Sequence, residues 1–310
     1  MLFLWIALGL LAVALITAYV CFHIVFYSPR RKVSDEIPRL EGKEYDPVRE
    51  KMENWVKKAR AADYREVSVK TADGLTLRGR FYEFEKGAPI ELMLHGYRGT
   101  SERDLSGGIF RAFKLGHSVL TYDHRGSGRS DGHVITFGVK ESRDAEIWVQ
   151  YIIETIDKDA KILLTGISMG AATVLMLSER ELPANVSGVL ADCGYTSAEA
   201  IIKDIMHRMK LPVPLLYPFV VLGGMIFGGF NVGKATPIEA VKHSRLPILF
   251  FHGDADTFVP HAMSLENYEA CMSDKHMVTI AGAAHGLCYP VDPEKYLAEM
   301  QDFLEPYLQK

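Results

Sequence analysis

Lys161-Ile162-Leu163-Leu164-Thr165-Gly166-Ile167-Ser168-Met169-Gly170-Ala171-Ala172-Thr173-Val174-Leu175-Met176-Leu177 is the stretch that decides the fold. It begins as an apolar run of strand length and ends as an apolar run that reads as a buried helix. Between them stands G-x-S-x-G. A strand that turns directly into a helix leaves no room for side chains beside the turn, so glycine flanks the serine on both sides. The turn lifts the Ser168 hydroxyl above the sheet, at a helix N-terminus whose free N–H groups favour an oxyanion. Ser168 is therefore the candidate nucleophile; the competing reading is a glycine-rich turn with an inert serine.

A second copy of the pattern, Gly128-Arg129-Ser130-Asp131-Gly132, lies in the polar run His124-Arg125-Gly126-Ser127-Gly128-Arg129-Ser130-Asp131, with no strand leading directly into it. It reads as a loop, and Ser130 as a decoy.

Outward from Ser168, strands and helices alternate. Strands are expected at Ile90–Leu94, Ser118–Tyr122, Lys161–Gly166, Val186–Ala191, Pro247–Phe251 and Met277–Ile280. Helices are expected near Ser101–Leu115, Val139–Ile156, Met169–Arg180 and His261–Met272, with a terminal helix capped by Asp292-Pro293. Repeated strand–helix units imply a mostly parallel sheet covered on both faces, the α/β class. Glu66–Thr71 and Leu75–Phe84 alternate around Ala72-Asp73-Gly74 and add an antiparallel hairpin at one edge.

A serine needs a base, and the base an orienting acid, in the chain order Ser, acid, His for this topology. His285, in Ala283-Ala284-His285-Gly286 past the last strand, is the candidate base; a surface-loop histidine is the alternative. His252-Gly253-Asp254-Ala255-Asp256 follows the preceding strand and supplies the acid. Asp256 lies further past the strand end and is preferred. Asp254 reads as a turn residue holding its own backbone, and Asp192 is a third option. The oxyanion donors are expected to be the backbone N–H groups of Met169 and of Tyr97, in His95-Gly96-Tyr97-Arg98-Gly99. His95 reads as a structural loop histidine, and His124 and His261 as surface residues.

These motifs together, with Asp123-His124-Arg125-Gly126-Ser127-Gly128-Arg129-Ser130, resemble the α/β-hydrolase superfamily over about residues 63 to 310. More narrowly, the chain resembles membrane-anchored bacterial serine hydrolases with a short cap, of the Bem46-like and acylglycerol-lipase-like branches. The resemblance implies that Asp256 holds the acid position and that the Ser130 loop shapes the site without supplying the nucleophile. Tyr97 directly after Gly96 departs from lipases with three glycines after the histidine, which weakens any inference to bulky tertiary-alcohol esters.

The chain has 310 residues, 48% hydrophobic and 24% charged, with a net charge of -4. This is an ordinary globular composition, with no basic surface for nucleic acid. Four scattered cysteines include no C-x-x-C pair and read as free thiols, which favours a reducing compartment. Leu2 to Tyr27 carries no Asp, Glu, Lys or Arg and would rise about 39 Å as a helix, enough to cross a membrane. A cleaved signal peptide is the weaker reading, since no basic segment precedes the run, and a buried core helix is weaker still, since few globular helices are so uniformly apolar. Arg30, Arg31 and Lys32 follow it, so the positive-inside rule places the bulk of the protein on the cytoplasmic side of a single span.

The expected organisation is an anchor at 1–28, a linker at 29–62 whose solvated helix from Asp46 to Ala62, with Met52, Trp55, Val56 and Ala59 at helical spacing, reads as a stalk or docking helix, and a hydrolase domain at 63–310 with a cap at about 197–240. The compact domain is expected to begin near Glu66, leaving the anchor dispensable for folding. Leu211 to Phe230 is uncharged and could be taken for a second membrane span; its prolines and glycines argue against a continuous helix, and an apolar cap over the site is the preferred reading. The function expected is hydrolysis of carboxylic esters with a lipophilic acyl or alkyl part, through an acyl-enzyme and without metal or organic cofactor. The alternatives are a peptidase or amidase acting on short peptides, and a non-catalytic scaffold.

Overall fold

The computed structural model describes residues 1–29, 36–38, 40 and 42–308. Arg30, Arg31 and Lys32, on which the expected orientation rests, lie outside them. The helices are α1 (Leu2–Val25), α2 (Arg49–Ala61), α3 (Ser101–Lys114), α4 (Glu141–Tyr151), α5 (Met169–Leu177), α6 (Ala198–Arg208), α7 (Val213–Ile226), α8 (Pro237–Ala240), α9 (His261–Ala270), α10 (Cys288–Val291), α11 (Pro293–Phe303) and α12 (Glu305–Leu308). The strands are β1 (Arg65–Lys70), β2 (Thr76–Tyr82), β3 (Ile90–Leu94), β4 (Ser118–Tyr122), β5 (Ile162–Ile167), β6 (Val186–Asp192), β7 (Ile248–Gly253) and β8 (Lys275–Ile280).

They form one sheet in the order β1-β2-β4-β3-β5-β6-β7-β8. β2 runs antiparallel to β1 and β4, and the remaining pairs are parallel. Alternation along the strands feeds two cores. Ile90, Leu92, Ile162 and Leu164 pack under α4, α5 and α9 on one face. On the other face, Leu163, Leu190 and Leu249 pack under α11 and α12, and Met93 and Val119 under α3. At β3 the chain order reverses: β4 lies on one side and β5 on the other. The loops leaving β3 and β5 diverge there, and a crevice opens at the carboxyl ends of the strands, where open α/β sheets bind ligands.

The junction between anchor and domain differs from the expected modular division. α1 is the one described helix long and apolar enough to cross a membrane, with a mean hydropathy of 2.4 over its best window. Its last turns do not stand clear of the domain. Ala18, Phe22 and Phe26 are buried, the latter two in a cluster with Ile135, Phe137, Val220 and Phe230. Tyr27 bridges Val134, Ile135 N–H donates to the Phe26 carbonyl, and Ser28 N–H to the His133 carbonyl.

The cap also differs from expectation. Residues 213–226 form one continuous helix, α7, with Pro218 in its interior. A single proline removes one backbone donor; packing against α1 supports the helix around it. A Cβ at Gly223 would lie 2.4 Å from the Ala18 carbonyl oxygen, so only glycine lets the two helices approach this closely.

The linker helix α2 docks on the body. Val56 and Ala59 are buried, and Arg60 makes a two-pronged ion pair with Glu102 of α3 at 2.8 and 2.9 Å. A Cβ at Gly107 would meet the Trp55 ring at 2.6 Å.

Candidate active site

The elbow after β5 requires both of its glycines. A Cβ at Gly166 would lie 2.2 Å from the Gly170 carbonyl, and one at Gly170 would lie 2.1 Å from the Leu94 carbonyl. Ser168 between them is held at φ 57°, ψ -117°, a strained conformation for a side-chain-bearing residue. Its N–H donates to the Asp192 carbonyl at 2.8 Å. This conformation turns Oγ toward His285, whose Nε2 lies 2.9 Å away. His285 Nδ1 lies 2.7 Å from Asp256 Oδ2. An ionised carboxylate only accepts, so Nδ1 carries the proton and Nε2 is free to accept from the serine.

Asp256 is buried, and every partner it has favours the charged form. Oδ1 accepts from the N–H groups of Phe258 and Val259 at 2.8 and 2.9 Å. Oδ2 also takes His252 Nε2 at 3.1 Å. His252 Nε2 faces the Val259 carbonyl at 3.0 Å as well, so it carries hydrogen, and Nδ1 lies 2.6 Å from Ser264 Oγ. Burial by itself would raise the Asp256 pKa. The hydrogen bonds from His252 and His285 outweigh it and hold the carboxyl well below the usual carboxylate range.

The family model of the alpha/beta hydrolase fold matches residues 92–215, the segment that carries this elbow. The chain has the alpha/beta hydrolase fold. Bem46 of Schizosaccharomyces pombe is 27% identical over 220 residues, 69% of this chain and 67% of that one. The lysophosphatidylserine lipase ABHD12 of Danio rerio is 27% identical over 228 residues, 70% of this chain and 55% of that longer protein. Among solved structures, the esterase Pf2001 of Pyrococcus furiosus superposes with a TM-score of 0.67 at 24% identity, covering 87% of this chain and 98% of that one, a likeness of fold.

The loop after β3 brings Tyr97 to the same site. His95 is buried, its Nδ1 on the Gly96 carbonyl at 2.8 Å and its Nε2 accepting from His124 N–H at 2.9 Å. Asp104 holds the Gly96 N–H at 3.1 Å. Among the described residues, no backbone acceptor takes the Tyr97 or Met169 N–H. The Tyr97 hydroxyl donates to the Val25 carbonyl at 2.7 Å, and Arg98 donates to the carbonyls of Ile24 and Tyr27 at 2.8 and 3.1 Å.

The other candidates lie elsewhere in this hydrolase. Ser130 Oγ donates to the Asp123 carbonyl and accepts from Arg78 N–H at 2.9 Å, which occupies it structurally. Asp254 is exposed and binds Gly282 N–H at 2.7 Å, bracing the loop that leads to His285 rather than its own turn. Asp192 is buried and accepts from the Tyr296 hydroxyl at 3.1 Å; burial raises its pKa. His261 is half-buried against Thr279. His124 is not a surface residue. It is fully buried with its ring 4.4 Å from that of His95, and burial pushes its pKa well down.

A cleft of about 270 Å³ opens over Ser168 and His285, with apolar walls from Leu40, Met52, Ile167, Phe258 and Leu287. Among the described residues, none from Leu211 to Phe230 lines it; the expected apolar cap packs on α1 instead. Leu40, Glu44, Tyr45 and Met52 come from the segment read as a stalk. Their one sequence signal is the apolar spacing of Met52, Trp55, Val56 and Ala59, which marks a buried face without naming what it covers. Burial and the nearby Asp104 carboxylate raise the Tyr45 phenol.

Proposed function

We propose that this hydrolase cleaves carboxylic esters with a lipophilic acyl part at a membrane surface, using Ser168 as nucleophile, His285 as base and Asp256 as its orienting acid. The observation that carries the reading is the unbroken chain of contacts from Ser168 Oγ through His285 to Asp256, at 2.9 and 2.7 Å. Ser168 Oγ attacks the acyl carbonyl while His285 Nε2 takes its proton. Asp256 stabilises the imidazolium without accepting that proton. The N–H groups of Tyr97 and Met169 bind the oxyanion. His285 returns the proton to the alcohol oxygen as the C–O bond breaks. Water, deprotonated by His285, then cleaves the acyl-enzyme.

Three features support a lipophilic acyl group: the apolar walls of the cleft, the α1 helix beside it, and the likeness to a protein named a lysophosphatidylserine lipase. Each CH₂ moved from water to such a wall contributes roughly 0.8 kcal/mol. The cytoplasmic placement remains the positive-inside reading of Arg30, Arg31 and Lys32, and protease accessibility in right-side-out and inverted vesicles tests it.

Labelling by a fluorophosphonate, lost in Ser168→Ala, tests the nucleophile. p-Nitrophenyl esters of increasing acyl length, run beside aminoacyl-p-nitroanilides, test the substrate. Faster turnover of the anilides, or no labelling, would overturn the reading.

A further inference from the structure

The apolar surface of α1 continues unbroken onto the cap. In the segment where α1 packs on the body, Ala18, Phe22 and Phe26 face inward, but Val20 and Ile24 remain 48% and 64% exposed. A span that crosses a membrane would leave these two in water unless the bilayer reaches down to them. α7 lies alongside this same segment: Gly223 fits against Ala18 and Phe22, and the Phe227 ring packs 5.2 Å from that of Tyr19. Next to that contact, Met225 and Ile226 are 53% and 50% exposed. Residues 211–230 carry no charge, while exposed Lys210 and Lys234 flank them.

From this shared surface we infer that α7 is a second membrane-embedded element: the end of the helix at Met225–Phe227 inserts into the same leaflet as Ile24, with Lys210 and Lys234 at the headgroups. The inference rests on α1 being a membrane anchor. It commits to lipid as the occupant, because α7 packs against α1 at Gly223 and Phe227 and the residues left exposed beside that contact, Val20, Ile24, Met225 and Ile226, are all apolar. The hydrolase is then seated on the membrane by two helices rather than tethered by one. Tyr97 belongs both to the cleft wall and to the apolar cluster beneath α7, so the seat adjoins the site.

The test uses the full chain in phosphatidylcholine–phosphatidylglycerol vesicles. Single cysteines replace Ile226, Ile24 and Glu179 in a Cys21→Ser background, the other three native thiols being buried. Each carries an environment-sensitive fluorophore and is challenged with a lipid-borne quencher and a water-soluble one; retained esterase activity reports folding. The expected result is lipid quenching at Ile226 close to that at Ile24 and several-fold above that at Glu179. Lipid quenching at Ile24 with aqueous quenching at Ile226 overturns the inference and leaves the anchor standing. Aqueous quenching at both overturns the anchor as well. Shielding of Ile226 from both quenchers points to a protein contact, such as a second copy, and also overturns it.

Discussion

The Tyr97 hydroxyl donates a 2.7 Å hydrogen bond to the Val25 carbonyl, joining the loop expected to bind the oxyanion to the last turn of the apolar helix. Arg98 beside it caps the same helix end. Deletions should therefore divide by where they cut. Removing residues 1–17 leaves these contacts, and kcat on a short soluble ester should hold. Removing residues 1–28 strips out Phe22 and Phe26, each contributing about 2–3 kcal/mol of burial, and frees Tyr97 and Arg98. That protein should melt several degrees lower and lose kcat more than KM. Equal behaviour of the two deletions in melting and steady-state assays would show that the helix end is idle.

Ser168→Ala should lower kcat by about 10⁴-fold or more while melting normally, because nucleophile and base act as a unit. Ser130→Ala should do the reverse. It leaves the Arg78 N–H without its acceptor, costing on the order of 1–2 kcal/mol in urea unfolding, and keeps the ester rate within the same order of magnitude.

Asp256→Asn should cost about 10⁴-fold in kcat by disturbing the His285 tautomer, whereas Asp254→Asn, which loses one exposed loop contact, should cost little. A pH dependence follows from the depressed Asp256 pKa. The folded value lies below the unfolded value of about 3.9, so the charge stabilises the fold above that pH and ceases to do so as pH falls through the folded value. Unfolding titrations should show the gap between wild type and Asp256→Asn constant near neutrality and closing in acid. A gap that widens on acidification would reverse the assignment.

Acyl selectivity should respond to Met52 and not to the cap. With wild type, kcat/KM should rise about fourfold per CH₂ until the cleft is filled. Met52→Ala should move the preferred length to longer chains. Phe219→Asp should leave the slope unchanged. A flattened slope in Phe219→Asp alone would return the cap to the acyl wall.

Much of this architecture was legible in the sequence because it depends on local rules. The elbow glycines are steric necessities, and the strands from Ile90 to Ile280 are short apolar runs separated by helical spacing. His285 and Asp256 could be proposed because they follow strand ends in the required order. Tertiary partnership was not legible. The prolines and glycines of residues 211–230 argued against a helix, yet Gly223 is what allows α7 to press against Ala18. The polar neighbours of His124 suggested solvent, yet its ring is buried against that of His95. The charged face of Arg49–Ala61 left a stalk and a docking helix both open, and nothing local announced that Met52 would reach the cleft from its other side.

That reach has an evolutionary corollary. Leu40, Glu44, Tyr45 and Met52 precede the first strand and lie outside residues 92–215, the part matched by the family model. The wall that the proposed function sets against the acyl chain can therefore diversify while Ser168 and its elbow stay under steric constraint. Two relatives could hold the same chemistry and part company over substrate through changes in a segment outside the one that carries the elbow. Grafting the α2 segment from one such relative onto another should carry chain-length preference with it, as an exchangeable jaw on an unaltered vice.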